Sequence, residues 1–233
     1  MRREVLTALN EERAARRPVI VVTDLASGEQ RLVRAVDVAQ DALADVLAAR
    51  LQSGKSGPIE IGGRNLFLLV EVPRRRLVVV GAVHIAQAMA PMAKLADLDM
   101  VVVDPRSAFA TPERFPGIEV IAEWPQDIMP GLGLDEFTAV AVLTHNAQID
   151  DPALVAALEA GCFYVGALGS QKTHGKRRER LRAAGLSDAQ LNLIHAPIGL
   201  DIGAVSPAEI AISILAEMIV AMRHKPLRSA LAA

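Results

Sequence analysis

Short, unbroken apolar runs recur through the second part of the chain: Leu77–Val80, Met100–Val103, Ile118–Ile121, Ala139–Leu143 and Phe163–Val165. Runs without polar alternation predict strands covered on both faces, as parallel sheets require. Between the first two runs, Ile85, Met89 and Met92 share one helical face. Asp151-Pro152 reads as an N-cap followed by proline at the first helical position, and Gly161 closes that helix. Ser206-Pro207-Ala208-Glu209 reads as a capping box, after which Ile210, Ile214, Glu217 and Met218 keep helical spacing. Glu217 stands in this apolar stripe without a local explanation. Strands alternating with helices predict an α/β, Rossmann-like, doubly wound parallel sheet over residues 74–233.

The first region has a different pattern. Pro18–Val22 and Arg31–Val36 predict one hairpin, and Ile59–Ile61 with Leu66–Val70 predict a second around Gly62-Gly63-Arg64-Asn65. Helical spacing at Val38, Leu43, Val46 and Leu47 predicts a helix over Asp37–Leu51. Pro73 and the triplet Arg74–Arg76 mark the boundary. Residues 1–73 therefore read as a small α+β N-terminal domain.

Composition narrows the function classes. The chain has 233 residues and is 52% hydrophobic but only 3% aromatic, so its core must be built from Ala, Val, Leu and Ile. A net charge of −2 gives no general attraction to nucleic acid or to an anionic membrane. The charged first residues lack the apolar stretch of a signal peptide, and no run approaches a membrane span. One cysteine, Cys162, allows no intrachain disulfide and reads as a small buried residue. The expectation is a cytoplasmic protein with neither a nucleic-acid nor a membrane partner.

In such sheets ligands lie beyond the carboxyl ends of the strands. After the first strand comes Gly81-Ala82-Val83-His84-Ile85-Ala86, a dinucleotide fingerprint with Val83 in place of its second glycine. A β-branched residue there predicts crowding of a pyrophosphate. Asp104 occupies the ribose-acid position and Arg106 follows it, although the two also read as a turn with an ion pair. His84, at a helix N-terminus that disfavours its charged form, reads equally as a donor to phosphate and as a surface residue. Thr144, His145 and Asp150 follow the fourth strand. Gly166, Gly169 and Ser170 follow the fifth, and Lys172 opens a strongly basic helix that reads as a solvated face. The PIGLDIG segment, with Gly199 and Asp201, reads as a loop returning to the same edge. The spacing supplies neither a nucleophile–base–acid set nor a metal-ligand motif.

In this order, GAVHIAQ, VVVDPRSAFATPERFPG, LTHNAQIDDPAL, FYVGALGS and PIGLDIGAVSPAEIAISILAE resemble the XdhC/CoxI family over residues 65–223. That family comprises accessory factors of molybdenum hydroxylases such as xanthine dehydrogenase and carbon monoxide dehydrogenase. The resemblance implies a Rossmann-like domain that binds molybdenum cofactor, as molybdopterin or a dinucleotide form. It also implies delivery to an apo-hydroxylase, with sulfuration by a cysteine desulfurase. Carried over by motif, the cofactor-binding residues are Gly81, Ala82, His84, Asp104, Arg106, Thr144, His145, Asp150, Gly166, Gly169, Ser170, Gly199 and Asp201; Val83 joins them from the fingerprint. The chain departs from the family at Val83, at Asn146 where aspartate is common, and in lacking an N-terminal cysteine-containing element. A non-catalytic cofactor chaperone is the favoured reading and an NAD(P)-dependent oxidoreductase the alternative. A homodimer stays open.

Overall fold

A computed structural model describes residues 1–224; residues 225–233, which the sequence reading assigns to the second region, lie outside the described residues. The chain forms two compact units that divide between Pro73 and Arg74.

The first unit contains α1 (Arg3–Ala14), β1 (Val19–Asp24), β2 (Gln30–Arg34), α2 (Ala44–Ser53), β3 (Gly57–Ile61) and β4 (Arg64–Glu71). The strands form an antiparallel sheet in the order β2-β1-β4-β3. Two features depart from the sequence reading. Helix α1 has no apolar stripe to announce it: it buries only Leu9 and Glu12, and the Glu12 carboxylate accepts from Arg17 Nε at 2.6 Å and Arg34 Nε at 2.8 Å. The single helix expected over Asp37–Leu51 is broken into a 3₁₀ turn, Ala35–Gln40, and α2. The break falls where the Asp41 side chain accepts the Leu43 amide at 2.9 Å, a local bond that competes with helix continuation.

The second unit contains β5 (Arg76–Val80), α3 (His84–Leu95), β6 (Asp99–Val103), β7 (Glu119–Ile121), α4 (Pro125–Ile128), β8 (Thr138–Val142), α5 (Ala147–Glu159), β9 (Tyr164–Ala167), α6 (Gln171–Ala183), α7 (Asp188–Leu191), β10 (Ile194–His195) and α8 (Pro207–His224). All six strands are parallel, in the order β10-β9-β8-β5-β6-β7. This is the doubly wound Rossmann order, with its switch point between β5 and β8. Alternate residues of β5 feed two cores. Leu77 and Val79 meet Ile85 and Met89 of α3 and Ile214 and Met218 of α8. Val78 and Val80 meet Ile149 and Leu154 of α5 and Leu181 of α6. Both faces are covered, which is why the strands read as unbroken apolar runs. The two-residue β10 is too short to leave such a signal.

The capping box forms as read: Glu209 N donates to Ser206 Oγ at 3.3 Å, and Glu209 Oε2 accepts the Val205 and Ser206 amides, each at 2.8 Å. The start of α5 requires a correction. Its N-cap is Asn146, whose side chain accepts the Gln148 amide at 3.0 Å; Pro152 lies inside the helix, and Asp151 pairs with Arg180 Nε at 2.5 Å. An asparagine after Thr144-His145 captures the first free amide, so the helix begins a turn early. Asn146→Ala should therefore lower unfolding free energy by about 1 kcal/mol, whereas Asp151→Ala should cost no more than about 0.5 kcal/mol, as partly exposed ion pairs do. Urea titration of both variants tests this, and the reverse ranking would restore Asp151 as the cap.

Among the described residues, no helix is long and apolar enough to cross a membrane, and no cluster of three or more His, Cys, Asp or Glu side chains could hold a metal.

Candidate functional site

Gly81 follows β5 at the switch point. Its φ of +120° suits glycine, and a Cβ there would lie 2.8 Å from Thr144 Cγ2, just past β8. The two strand ends thus touch through the absence of a side chain. The turn is pinned from beneath by Asp104, which is 0% exposed. Its carboxylate accepts the Ala82 amide at 2.8 Å, the Arg106 amide at 3.0 Å, and Arg106 Nε and Nη2 at 2.9 and 2.7 Å. Burial alone would raise its pKa; the Arg106 guanidinium and the two amides outweigh that and hold it below the usual carboxylate value. The Asp104 oxygens are thus taken up by the Ala82 amide and by Arg106, whose side chain is 39% exposed.

Val83 is the N-cap residue of α3 at φ −94° and ψ 171°, extended backbone open to any residue, and its side chain packs against the core. That placement explains how the loop dispenses with a second glycine. His84 opens α3 and is exposed. Sequence reasoning missed Arg114. Its Nη1 donates to the carbonyls of Ala82 and Phe109 at 2.9 and 2.8 Å, and its Nη2 donates to Gln87 Oε1 at 2.9 Å, so it braces the Gly81-Ala82 turn from outside. It stands in the ATPERFPG stretch, but nothing local shows what it holds.

Beyond β8, Thr144 Oγ1 donates to Asp150 Oδ1 and accepts the Asn146 amide at 3.1 Å. Asp150 is 1% exposed and lies 3.6 Å from Arg177 Nη2. Burial pushes its pKa up, against the Thr144 hydroxyl and Arg177. His145 takes a left-handed φ of +61°, which costs on the order of 1–2 kcal/mol for a residue with a Cβ. Gly169, at φ +133°, lies close by: a Cβ on it would be 3.6 Å from His145 Nδ1. Ser170 caps α6, its hydroxyl accepting the Thr173 amide at 3.3 Å. A cleft of about 270 Å³ lies between α5 and α6, lined by His145, Asp150, Lys172, Lys176, Arg177 and Arg180 among others.

The third group is a structural lock. Glu217 of α8 accepts the Tyr164 hydroxyl at 2.6 Å and the Gly199 amide at 2.8 Å, and it bonds His195 Nδ1 at 2.9 Å. Gly199 has φ +90°, and a Cβ on it would be 2.4 Å from Ser213 Oγ. Gly166 lies within β9 rather than after it, and a Cβ there would come within 2.6 Å of Ile198. These two glycines, assigned to ligand binding from sequence, are required by packing: Gly166 seats the PIG loop and Gly199 lets it approach α8. Asp201 is exposed beyond them.

The parallel register places Gly81, Asp104 and Thr144 past the carboxyl ends of β5, β6 and β8, with His145, Asp150, Gly169 and Ser170 beside Thr144. A doubly wound parallel sheet with a glycine turn, a buried aspartate–arginine pair and a threonine gathered at its switch point defines a Rossmann-domain protein. The chain belongs to the XdhC family: the family's XdhC Rossmann domain model matches residues 77–218. It is 39% identical over 92 residues to the molybdenum cofactor insertion chaperone PaoD of Escherichia coli K12, covering 40% of this chain and 29% of that protein. It is 30% identical over 156 residues to a probable xanthine dehydrogenase component of Bacillus subtilis 168, covering 66% of this chain and 45% of that one. The chain thus spans less than half the length of these curated relatives. The crystal structure of a xanthine dehydrogenase from Bacillus halodurans superposes with a TM-score of 0.67 at 25% identity, over 99% of this chain and 67% of that one.

Proposed function

We propose that this protein is a maturation factor that binds molybdenum cofactor as cargo and hands it to an apo molybdenum hydroxylase. One observation carries the reading: where a dinucleotide site would present its ribose acid, Asp104 is buried and bonded to the Ala82 amide and to Arg106, and the partly exposed side of this pair is the arginine. The site therefore offers the remaining, partly exposed edge of the Arg106 guanidinium and the N-terminus of α3 to an anionic group of a ligand, and no free carboxylate to a ribose. The relatives named for cofactor insertion and for xanthine dehydrogenase support the same direction. In this proposal Gly81 and Ala82 supply close backbone, Arg106 the charge, and Thr144 and His145 the opposite wall. A cysteine desulfurase that sulfurates the held cofactor is the second protein partner. The pathway runs in the cytoplasm.

Incubating the purified chain anaerobically with molybdopterin and, separately, with NADPH, followed by gel filtration and mass spectrometry of the retained ligand, tests the proposal. Molybdopterin should be retained and should activate an apo-hydroxylase on mixing. Retention of NADPH alone would replace the carrier by an oxidoreductase.

A further inference from the structure

Helix α6 has no apolar stripe, and from sequence its basic residues read as a solvated face. The structure turns one of them inward. Arg177 is 1% exposed and shares the buried face of α6 with Leu181. Its Nη2 donates to the Leu168 carbonyl at 2.9 Å and lies 3.6 Å from Asp150. Its Nε and Nη1 are buried with no hydrogen-bond partner. A guanidinium offers five N–H donors, and leaving buried donors unmatched is costly, so native proteins rarely do it without a reason. Asp150 does not supply the missing acceptors: its Oδ1 takes the Thr144 hydroxyl and only Oδ2 faces the guanidinium, beyond hydrogen-bond range.

The surroundings of Arg177 favour a negative guest. Lys172, Lys176 and Arg180 repeat at i, i+4 along the same cleft, a spacing at which like charges repel and weaken a helix. Arg180 is neutralised by Asp151, but among the described residues Lys172 and Lys176 have no carboxylate partner. His145 closes one side from its strained turn. At about 270 Å³ the cleft admits a phosphate or pyrophosphate group and is too small for a whole dinucleotide.

We infer that the α5–α6 cleft is an anion subsite, separate from the Gly81 turn, that takes a phosphate ester or pyrophosphate group on Arg177, Lys172 and Lys176. Its link to the cofactor rests on the proposed function: the cleft adjoins Thr144 and His145 at the switch point, where it would seat the phosphate end of the cargo.

The test is calorimetric titration of the whole chain with inorganic pyrophosphate. Lys172→Gln and Lys176→Gln alter exposed side chains and leave the buried ion pair intact; Arg182→Gln, on the same helix but away from the cleft, is the control. Pyrophosphate should bind saturably to the unaltered chain and to Arg182→Gln. Each cleft variant should weaken it by about tenfold, the loss of one charge-assisted hydrogen bond. Arg177→Lys, which keeps the charge but not the fork, should weaken it further while its thermal melt reports on folding. Absence of saturable binding, or equal binding by Lys172→Gln, Lys176→Gln and the control, would overturn the subsite. The same variants are then loaded with molybdopterin. Pyrophosphate binding that depends on Lys176, with molybdopterin retained equally by every variant, overturns the link to the cargo. The same dependence, with no molybdopterin retained by any form, leaves the subsite standing and overturns the proposed cargo.

Discussion

Glu217→Ala should destabilise the protein by about 2–4 kcal/mol, because it strands the hydroxyl of a buried tyrosine and a part-buried amide at once. The Glu217 carboxylate is the acceptor for Tyr164, itself fully buried, and for the Gly199 amide, and it bonds His195 Nδ1. Glu217→Gln keeps one carbonyl oxygen and should lose roughly half as much. The two variants also separate in acid. Burial raises the Glu217 pKa, but His195, Tyr164 and the Gly199 amide outweigh it and hold the folded-state value below the ordinary 4.5. A lowered folded pKa gives stability that is fully present above the unfolded value and is lost as pH falls through the folded one. Stability of the unaltered protein should therefore fall as pH drops below about 4.5, and Glu217→Gln should lack that part of the slope. Guanidinium melts at several pH values decide the matter; an acid slope unchanged by Gln would mean that Glu217 is not the titrating acceptor.

Gly81→Ala should be as damaging by a different route. A non-glycine residue at φ +120° costs on the order of 1–3 kcal/mol, and the new Cβ would press on Thr144 Cγ2 at 2.8 Å. The collision is at the site itself. Moving Thr144 disturbs its bond to Asp150 and hence the wall of the crevice. Both the melting temperature and ligand retention should fall. Val83→Gly is the contrast. The backbone there already suits any residue and the side chain packs on the core, so the glycine should cost at most about 1 kcal/mol and should not tighten NAD(P) binding. Calorimetry with NADPH, together with thermal melts of both variants, tests the pair. A Gly81→Ala protein that melts and binds like the parent would show that the strand ends are free to part.

What was readable in the sequence is what local patterns determine. Unbroken valine-rich runs marked β5, β6 and β8 because a strand covered on both faces has no polar side to show. Gly81 was readable because a turn of positive φ admits few other residues, and the Ser206–Glu209 box because its bonds close within four positions. The misreadings share a cause. Asn146 and Asp151 both suit an N-cap, and only the fold shows which meets a free amide. Glu217 finds its partners at Tyr164, His195 and Gly199, which are brought near by β9, β10 and the returning loop rather than by spacing. Arg177 is indistinguishable in sequence from the solvated arginines around it, because helix orientation is set by Leu181 and by the surface of α5, not by charge. Asp104 stands at the expected position, and only the fold shows that its oxygens meet the Ala82 amide and Arg106.

The shortness of β10 also determines how this fold can loosen. Only Ile194 and His195 join it to the sheet, opposite Val165 and Gly166. An outer strand this brief adds little cooperativity, so the segment that follows it is held from beyond the sheet, by the Glu217 carboxylate, by the Leu200 amide on the Ser213 carbonyl at 3.2 Å and by the buried Ile198. Glu217 is in effect a latch, and Gly199 is the point on which it closes. Releasing it would detach the sheet margin and its loop while β5 and β8 stayed zipped, so the least costly excursion from the native state opens the flank beside the crevice and leaves its floor intact.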